Sequence, residues 1–114
     1  MHATDELIVK HIPDSPMWEV IVDFQRHGHI VPAGFKTNFG SIPALLKGII
    51  DDDDPRFLED FVLHDFNYTE AKLTRVQCDE MLRDAIAKKD KVLALLVFEA
   101  VRIGGGSHYG KKCD

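Results

Sequence analysis

The sequence predicts an α+β protein: a small N-terminal antiparallel β-sheet packed on a helical hairpin, plus a central C-terminal helix. Two observations predict it. In "MWEVIVDFQ", Trp18, Val20, Val22 and Phe24 alternate with Glu19, Ile21 and Asp23, the period of two that marks a half-buried strand. From about residue 55 the apolar residues recur at helical spacing until the glycines at 104, 105 and 106, which end the pattern. The 114 residues, 45% of them hydrophobic, fit one domain over 1–114 with one modest core. No repeat or linker divides them.

Taken in order, "ELIVKHI" is rich in β-branched residues and reads as the first strand, followed by a turn at 11–16 with two prolines. "MWEVIVDFQ" is the second strand, "RHGH" a turn, and "IVPAGF" a third short strand that Pro32 and Gly34 confine to an edge or a bulge. "KTNFGSIP" is a loop, and Ser41 is placed to cap a short helix, "IPALLKGII". The acidic run at 51–54 lacks the spacing of a calcium loop. It reads as a solvated loop whose last member, Asp54, caps a helix over about 55–68 with Pro55 at its first position. Thr74 opens the next helix, with Gln77 three residues on to complete a capping box. The last opens near Asp90. Its "KVLALLVFEAVRI" is apolar nearly all round, which puts it in the centre.

Charge and cysteine content exclude several classes. A net charge of −5 with no basic stripe argues against binding a phosphate backbone, so no nucleic-acid partner is expected. Cys78 and Cys113 cannot build a disulfide framework and read as a core thiol and a tail thiol. The N-terminal "MHATDELIVKHIPDS" has neither a basic segment nor a long apolar one, so no signal peptide is expected. The longest apolar stretch, 92–97, is far short of a membrane span.

The unusual feature is His64-Asp65 within the apolar run "FVLHDFNY". At 100° per residue, Phe57, Leu58, Phe61 and Tyr68 share a face, and His64 and Asp65 fall within it. A buried imidazole needs partners, and a buried carboxylate needs a cation or several donors. On the following helix Cys78, Leu82, Ala85 and Ile86 define the inner face, with Asp79 on its flank. The short connection 69–73 makes the two helices antiparallel neighbours. Asp79 is then placed to accept a hydrogen bond from His64 and fix its tautomer. Asp65 is left for something else, for which a hard cation is a candidate. A polar network that merely joins two helices is the alternative. His27 and His29 read as surface residues of a turn. His108, after three glycines, is a candidate further metal ligand that would favour zinc.

"HDFNY" followed by "DEML" resembles the secreted phospholipase A2 superfamily, whose members carry H-D-x-x-Y on one helix and an acid on the antiparallel one. "FKTNFGSIP" is similar to the calcium loop of its bacterial members. A closer resemblance, over most of 31–109, is to a family of small uncharacterised phage and prophage proteins: "VPAGFKTNFGSIP", "LHDFNY", "CDEML" and "VRIGGGSHYG" follow its pattern. Asn38 stands where both families favour Asp, and Gly40 sits one position later than the usual glycine. The resemblance implies a phage-encoded, calcium-dependent ester hydrolase. In it His64 is the general base and Asp79 orients it. Asp65 and the oxygens from Asn38 to Ser41 hold Ca²⁺, and the ion with the Gly40 N–H stabilises the oxyanion. Tyr68 supports the carboxylate, and Arg102 pairs with an acid. The partners implied are a lipid or other ester substrate and other phage proteins, in host cytoplasm or phage particle. The alternative is a non-catalytic virion, tail or interaction protein whose His-Asp network holds the fold.

Overall fold

The structure, a computed structural model, describes residues 3–37, 55–104 and 109–110. Among the described residues five short strands precede three helices, which is the α+β arrangement expected. Strands β1 (Val9–His11), β2 (Trp18–Val20) and β5 (Lys36–Thr37) form one antiparallel sheet with β2 in the middle. Val9 faces Val20, and Trp18 faces both His11 and Thr37. Strands β3 (Phe24–Arg26) and β4 (His29–Val31) form a separate hairpin.

The strand expected across "MWEVIVDFQ" is therefore two strands in two sheets. Asp23 causes the break. Its carbonyl accepts the Thr4 N–H at 2.7 Å, and its Oδ1 accepts the Ala33 N–H at 2.8 Å. The backbone thus leaves the β1 and β5 ladders and re-enters a ladder with β4. The period of two survives the break, because Val20 and Phe24 are fully buried while Ile21 is exposed. His27 and Gly28 both have positive φ, 51° and 79°. This is the two-residue turn whose twist matches a hairpin, as "RHGH" predicted. "IVPAGF" holds β4, and Pro32 then stops it.

Helix α1 (Pro55–Glu70) runs two residues past the expected end. Ala71, at φ 53°, turns the chain out of the helix. Helix α2 (Arg75–Ala87) begins with the predicted capping box: Thr74 Oγ1 accepts the Gln77 N–H at 3.2 Å, and Gln77 Oε1 accepts the Thr74 N–H at 2.8 Å. Asp90 Oδ1 accepts the Leu93 N–H at 2.9 Å and caps α3 (Lys91–Gly104). The helix expected over "IPALLKGII" and the cap at Asp54 lie outside the described residues.

Among the described residues two apolar clusters join the elements. Val20, Phe24 and Val31 from the strands meet Val62 and Leu63 of α1. Phe61 of α1 meets Leu82 and Ile86 of α2 and Leu93, Ala94, Val97 and Val101 of α3. Helix α1 thus has one flank against the strands and another against the helices, so its buried set is wider than the single face the periodicity defines. The apolar residues of α3 divide, with Val92, Leu95, Leu96 and Ile103 facing solvent. Among the described residues no helix is long and apolar enough to cross a membrane.

Leu82→Ala should destabilise by about 2–5 kcal/mol, since it leaves a cavity where three helices meet. The 60% exposed Leu95, changed to Ala, should alter stability by less than about 0.5 kcal/mol. Urea denaturation of the two variants measures the contrast.

Candidate functional site

Asp79 is the point where the three helices are tied by polar bonds. It is fully buried. Its Oδ1 accepts from His64 Nε2 at 2.7 Å and from the Tyr68 hydroxyl at 2.5 Å, and its Oδ2 accepts from Arg102 Nη1 at 2.9 Å. His64 and Tyr68 lie one turn apart on α1, their rings 4.2 Å between centroids, because positions four apart share a helix face. Asp79 comes from the first turns of α2 and Arg102 from the end of α3. Burial alone would raise the Asp79 carboxyl. The hydrogen bonds from His64, Tyr68 and Arg102 outweigh burial and hold it below the ordinary carboxylate range. An ionised carboxylate only accepts, so the proton shared with Asp79 sits on His64 Nε2, and Nδ1 is the basic nitrogen of the neutral ring.

Burial, and then the bond to Asp79, push the Tyr68 hydroxyl far above its ordinary value. It is therefore a fixed donor across the physiological range. Burial, and then the charge of Asp79, likewise push the Cys78 thiol up to about 11, so this buried cysteine is an inert core residue.

Arg75 is a member of the network that sequence reasoning missed. Its Nε donates to the Tyr68 hydroxyl at 3.2 Å, and its Nη2 donates to the carbonyls of Val101 at 2.8 Å and Arg102 at 2.5 Å. It aims Tyr68 at Asp79 and at the same time satisfies carbonyls in the last turn of α3. A signal was present: Arg75 precedes Asp79 by four residues and so shares its face. The Tyr109 hydroxyl donates to the Leu73 carbonyl at 2.5 Å, and the Gly110 N–H donates to the Tyr68 carbonyl at 2.8 Å. These bonds fasten the chain after α3 over the α1–α2 turn.

Asp65 points elsewhere. Its Oδ2 accepts from Thr37 Oγ1, itself fully buried at the end of β5, at 2.8 Å. Asp65 is thus aimed at the residue that precedes Asn38. Asn38, Gly40 and Ser41, and with them the expected metal and oxyanion loop, lie outside the described residues, as do His108 and Cys113. Among the described residues no group of three or more His, Cys, Asp or Glu side chains could hold a metal ion. The described part of the site offers one carboxylate, short of the six to eight oxygens that calcium takes.

A second polar cluster joins the β3–β4 hairpin to α1. Arg26 donates from Nε to Asp60 Oδ1 at 2.6 Å and from Nη1 to Glu59 Oε1 at 3.1 Å, and His27 Nε2 lies 3.1 Å from Asp60 Oδ1. Glu59 Oε2 also accepts the Leu7 N–H at 2.9 Å. Burial alone would lower the Arg26 guanidinium, but Asp60 and Glu59 raise it above its ordinary value. His27, expected at the surface, thus carries an orienting carboxylate. A cavity of about 10 Å³ is lined by His27, Asp60, His64 and apolar residues of α1 and α2.

The chain is thus a small α+β protein with a buried His-Asp pair held between two helices. The family model described as "Protein of unknown function (DUF1353)" matches residues 18–101, and the chain belongs to that family. No curated protein and no solved structure matches it.

The three bonds to Asp79 predict linked stability effects. Tyr68→Phe and Asp79→Asn should each cost about 1–3 kcal/mol, because each leaves a buried partner unsatisfied. The depressed Asp79 carboxyl contributes stability that is fully present above the ordinary aspartate value, about pH 4. That stability is lost as pH falls through the lower value of the folded state. Urea midpoints between pH 2 and 7 should show a gap between parent and Asp79→Asn that is widest near neutrality and narrows in acid.

Proposed function

We propose that the protein is a phage-encoded, phospholipase-A2-like ester hydrolase in which His64 is the general base and Asp79 its positioning residue. The observation that carries this reading is the 2.7 Å bond from His64 Nε2 to a buried, ionised Asp79. Such a bond fixes the tautomer and leaves Nδ1 to take a proton from water. The Tyr68 hydroxyl on the same carboxylate oxygen and Arg102 on the other hold Asp79 ionised, so it can stabilise the imidazolium formed when His64 is protonated. The reaction is attack of a water-derived hydroxyl on an ester carbonyl. It breaks the acyl–oxygen bond, and the proton held on His64 passes to the leaving alcohol. Gly40 and Ser41 are the proposed oxyanion donors. Asp65, with oxygens from Asn38 onward, is the proposed Ca²⁺ site, and the ion would supply electrostatic stabilisation of the oxyanion. Zinc is the less favoured metal. The substrate would be a lipid or related ester, and the place of action host cytoplasm or phage particle.

A second reading rests on a different observation. His64 is only 7% exposed, and no buried side-chain nitrogen or oxygen among the described residues lacks a hydrogen-bond partner. A fully satisfied network of this kind can serve the fold alone, as in a virion, tail or interaction protein.

Hydrolysis of a short-chain phospholipid in millimolar Ca²⁺ separates the two. His64→Gln should lower the rate by about 10²–10⁴-fold while the protein remains folded. A folded parent with no turnover favours the structural reading. In calorimetry, Ca²⁺ should bind the parent with a Kd of about 10⁻⁴–10⁻³ M, the range of sites with few charged ligands. Asp65→Asn should abolish the heat.

A further inference from the structure

Helix α3 carries two apolar faces, and among the described residues the fold uses one of them. Leu93, Ala94, Val97 and Val101 pack into the cluster that joins the helices. Val92, Leu95, Leu96 and Ile103 are 69%, 60%, 44% and 83% exposed and belong to neither apolar cluster. At 100° per residue these four lie within an arc of about 100° opposite the buried face, with Glu99 inside the same arc. Apolar surface on the order of several hundred Å², gathered on one face, is the size of patch that marks an interaction site.

The charges on this face decide what covers it. Lys91, Leu95, Glu99 and Ile103 follow one another at intervals of four residues and so form a single ridge. Lys91 and Glu99 are both exposed, and neither forms an ion pair with a described residue. They stand four residues to either side of Leu95. A two-fold axis through Leu95 therefore brings Lys91 of each copy opposite Glu99 of the other, an isologous contact in which each charge is answered. A bilayer answers the same face less well, because Glu99 would be carried into the hydrocarbon with its charge.

The geometry points to the outer face of α3 as the interface of a homodimer, in which the α3 helices of two copies pack antiparallel about Leu95. Leu95 meets its own counterpart on the axis, Val92 and Leu96 form the neighbouring ridge, and a Lys91–Glu99 pair closes each end. The contact is independent of the hydrolase reading: it shares no residue with the His64, Tyr68, Asp79 and Arg102 network, and it would stand if that reading failed. The near-neutral effect of Leu95→Ala expected in urea is a property of the dilute monomer, since dimer stability depends on protein concentration.

Sedimentation equilibrium from micromolar to millimolar protein tests it. The parent should pass from the mass of one chain to that of two. Leu95→Glu puts two carboxylates on the axis and should leave a monomer with the parent's circular dichroism. Lys91→Glu and Glu99→Lys each set like charges opposite one another at both ends and should weaken association about tenfold. The double variant, with the two charges exchanged, should regain the parent's affinity. A parent that stays monomeric, association that survives Leu95→Glu, or a double variant no tighter than the single ones overturns the assignment. In a monomeric parent two further readouts say what covers the face instead. A lower melting temperature in Leu95→Glu assigns it to a contact within the chain. Co-sedimentation with phosphatidylcholine vesicles that Leu95→Glu abolishes assigns it to a lipid surface.

Discussion

A single buried carboxylate sets the arrangement of the helices. Asp79 has no access to solvent, and an ionised group in that position must be answered by donors. It receives them from two helices other than its own: His64 and Tyr68 on α1 and Arg102 on α3. Apolar contacts between helices tolerate sliding and repacking. Three hydrogen bonds converging on two oxygen atoms do not, so the register of α1 against α2, and of α3 against both, follows from this one side chain. Arg75 extends the constraint, because it holds Tyr68 and the last carbonyls of α3 together.

The same constraint gives the site its chemical character. Burial opposes the charge on Asp79 and the hydrogen bonds restore it. The result is an anion with a fixed direction, against which an imidazole is held in one tautomer. This is the arrangement a general base requires, and it is also what a rigid polar tie between helices requires. Fold stability and proton-transfer capacity are therefore not competing explanations of the geometry. Turnover distinguishes them, since only a base must meet a substrate.

Around this centre the strands have a positioning role. Thr37, at the end of β5, is buried and bonds Asp65, which ties the sheet to α1 one residue after His64. Arg26 and His27, at the hairpin turn, tie the second pair of strands to α1 through Glu59 and Asp60. Polar bonds thus reach α1 from both sheets and from α2. This accounts for a helix in which His64, Asn67, Glu59 and Asp60 are all buried although none is apolar.

Local signals were legible in the sequence. The Thr74–Gln77 box, the Asp90 cap and the turn at His27-Gly28 are short-range devices whose hydrogen bonds or backbone angles involve neighbours in the chain, so residue type and spacing suffice. The pairing of His64 with Asp79 was legible too, because a short turn between two helices leaves few ways to bring their inner faces together. Longer-range features were decided by the tertiary structure. The division of "MWEVIVDFQ" into two strands depends on Asp23 meeting Thr4 and Ala33. The placement of Arg102 on Asp79, rather than on another acid, depends on where the end of α3 lies. His27 gained its carboxylate because the hairpin packs on α1, and no periodicity in either segment records that contact. Spacing along the chain determines which side chains share a face. Only the packing of one element on another decides which charge answers which.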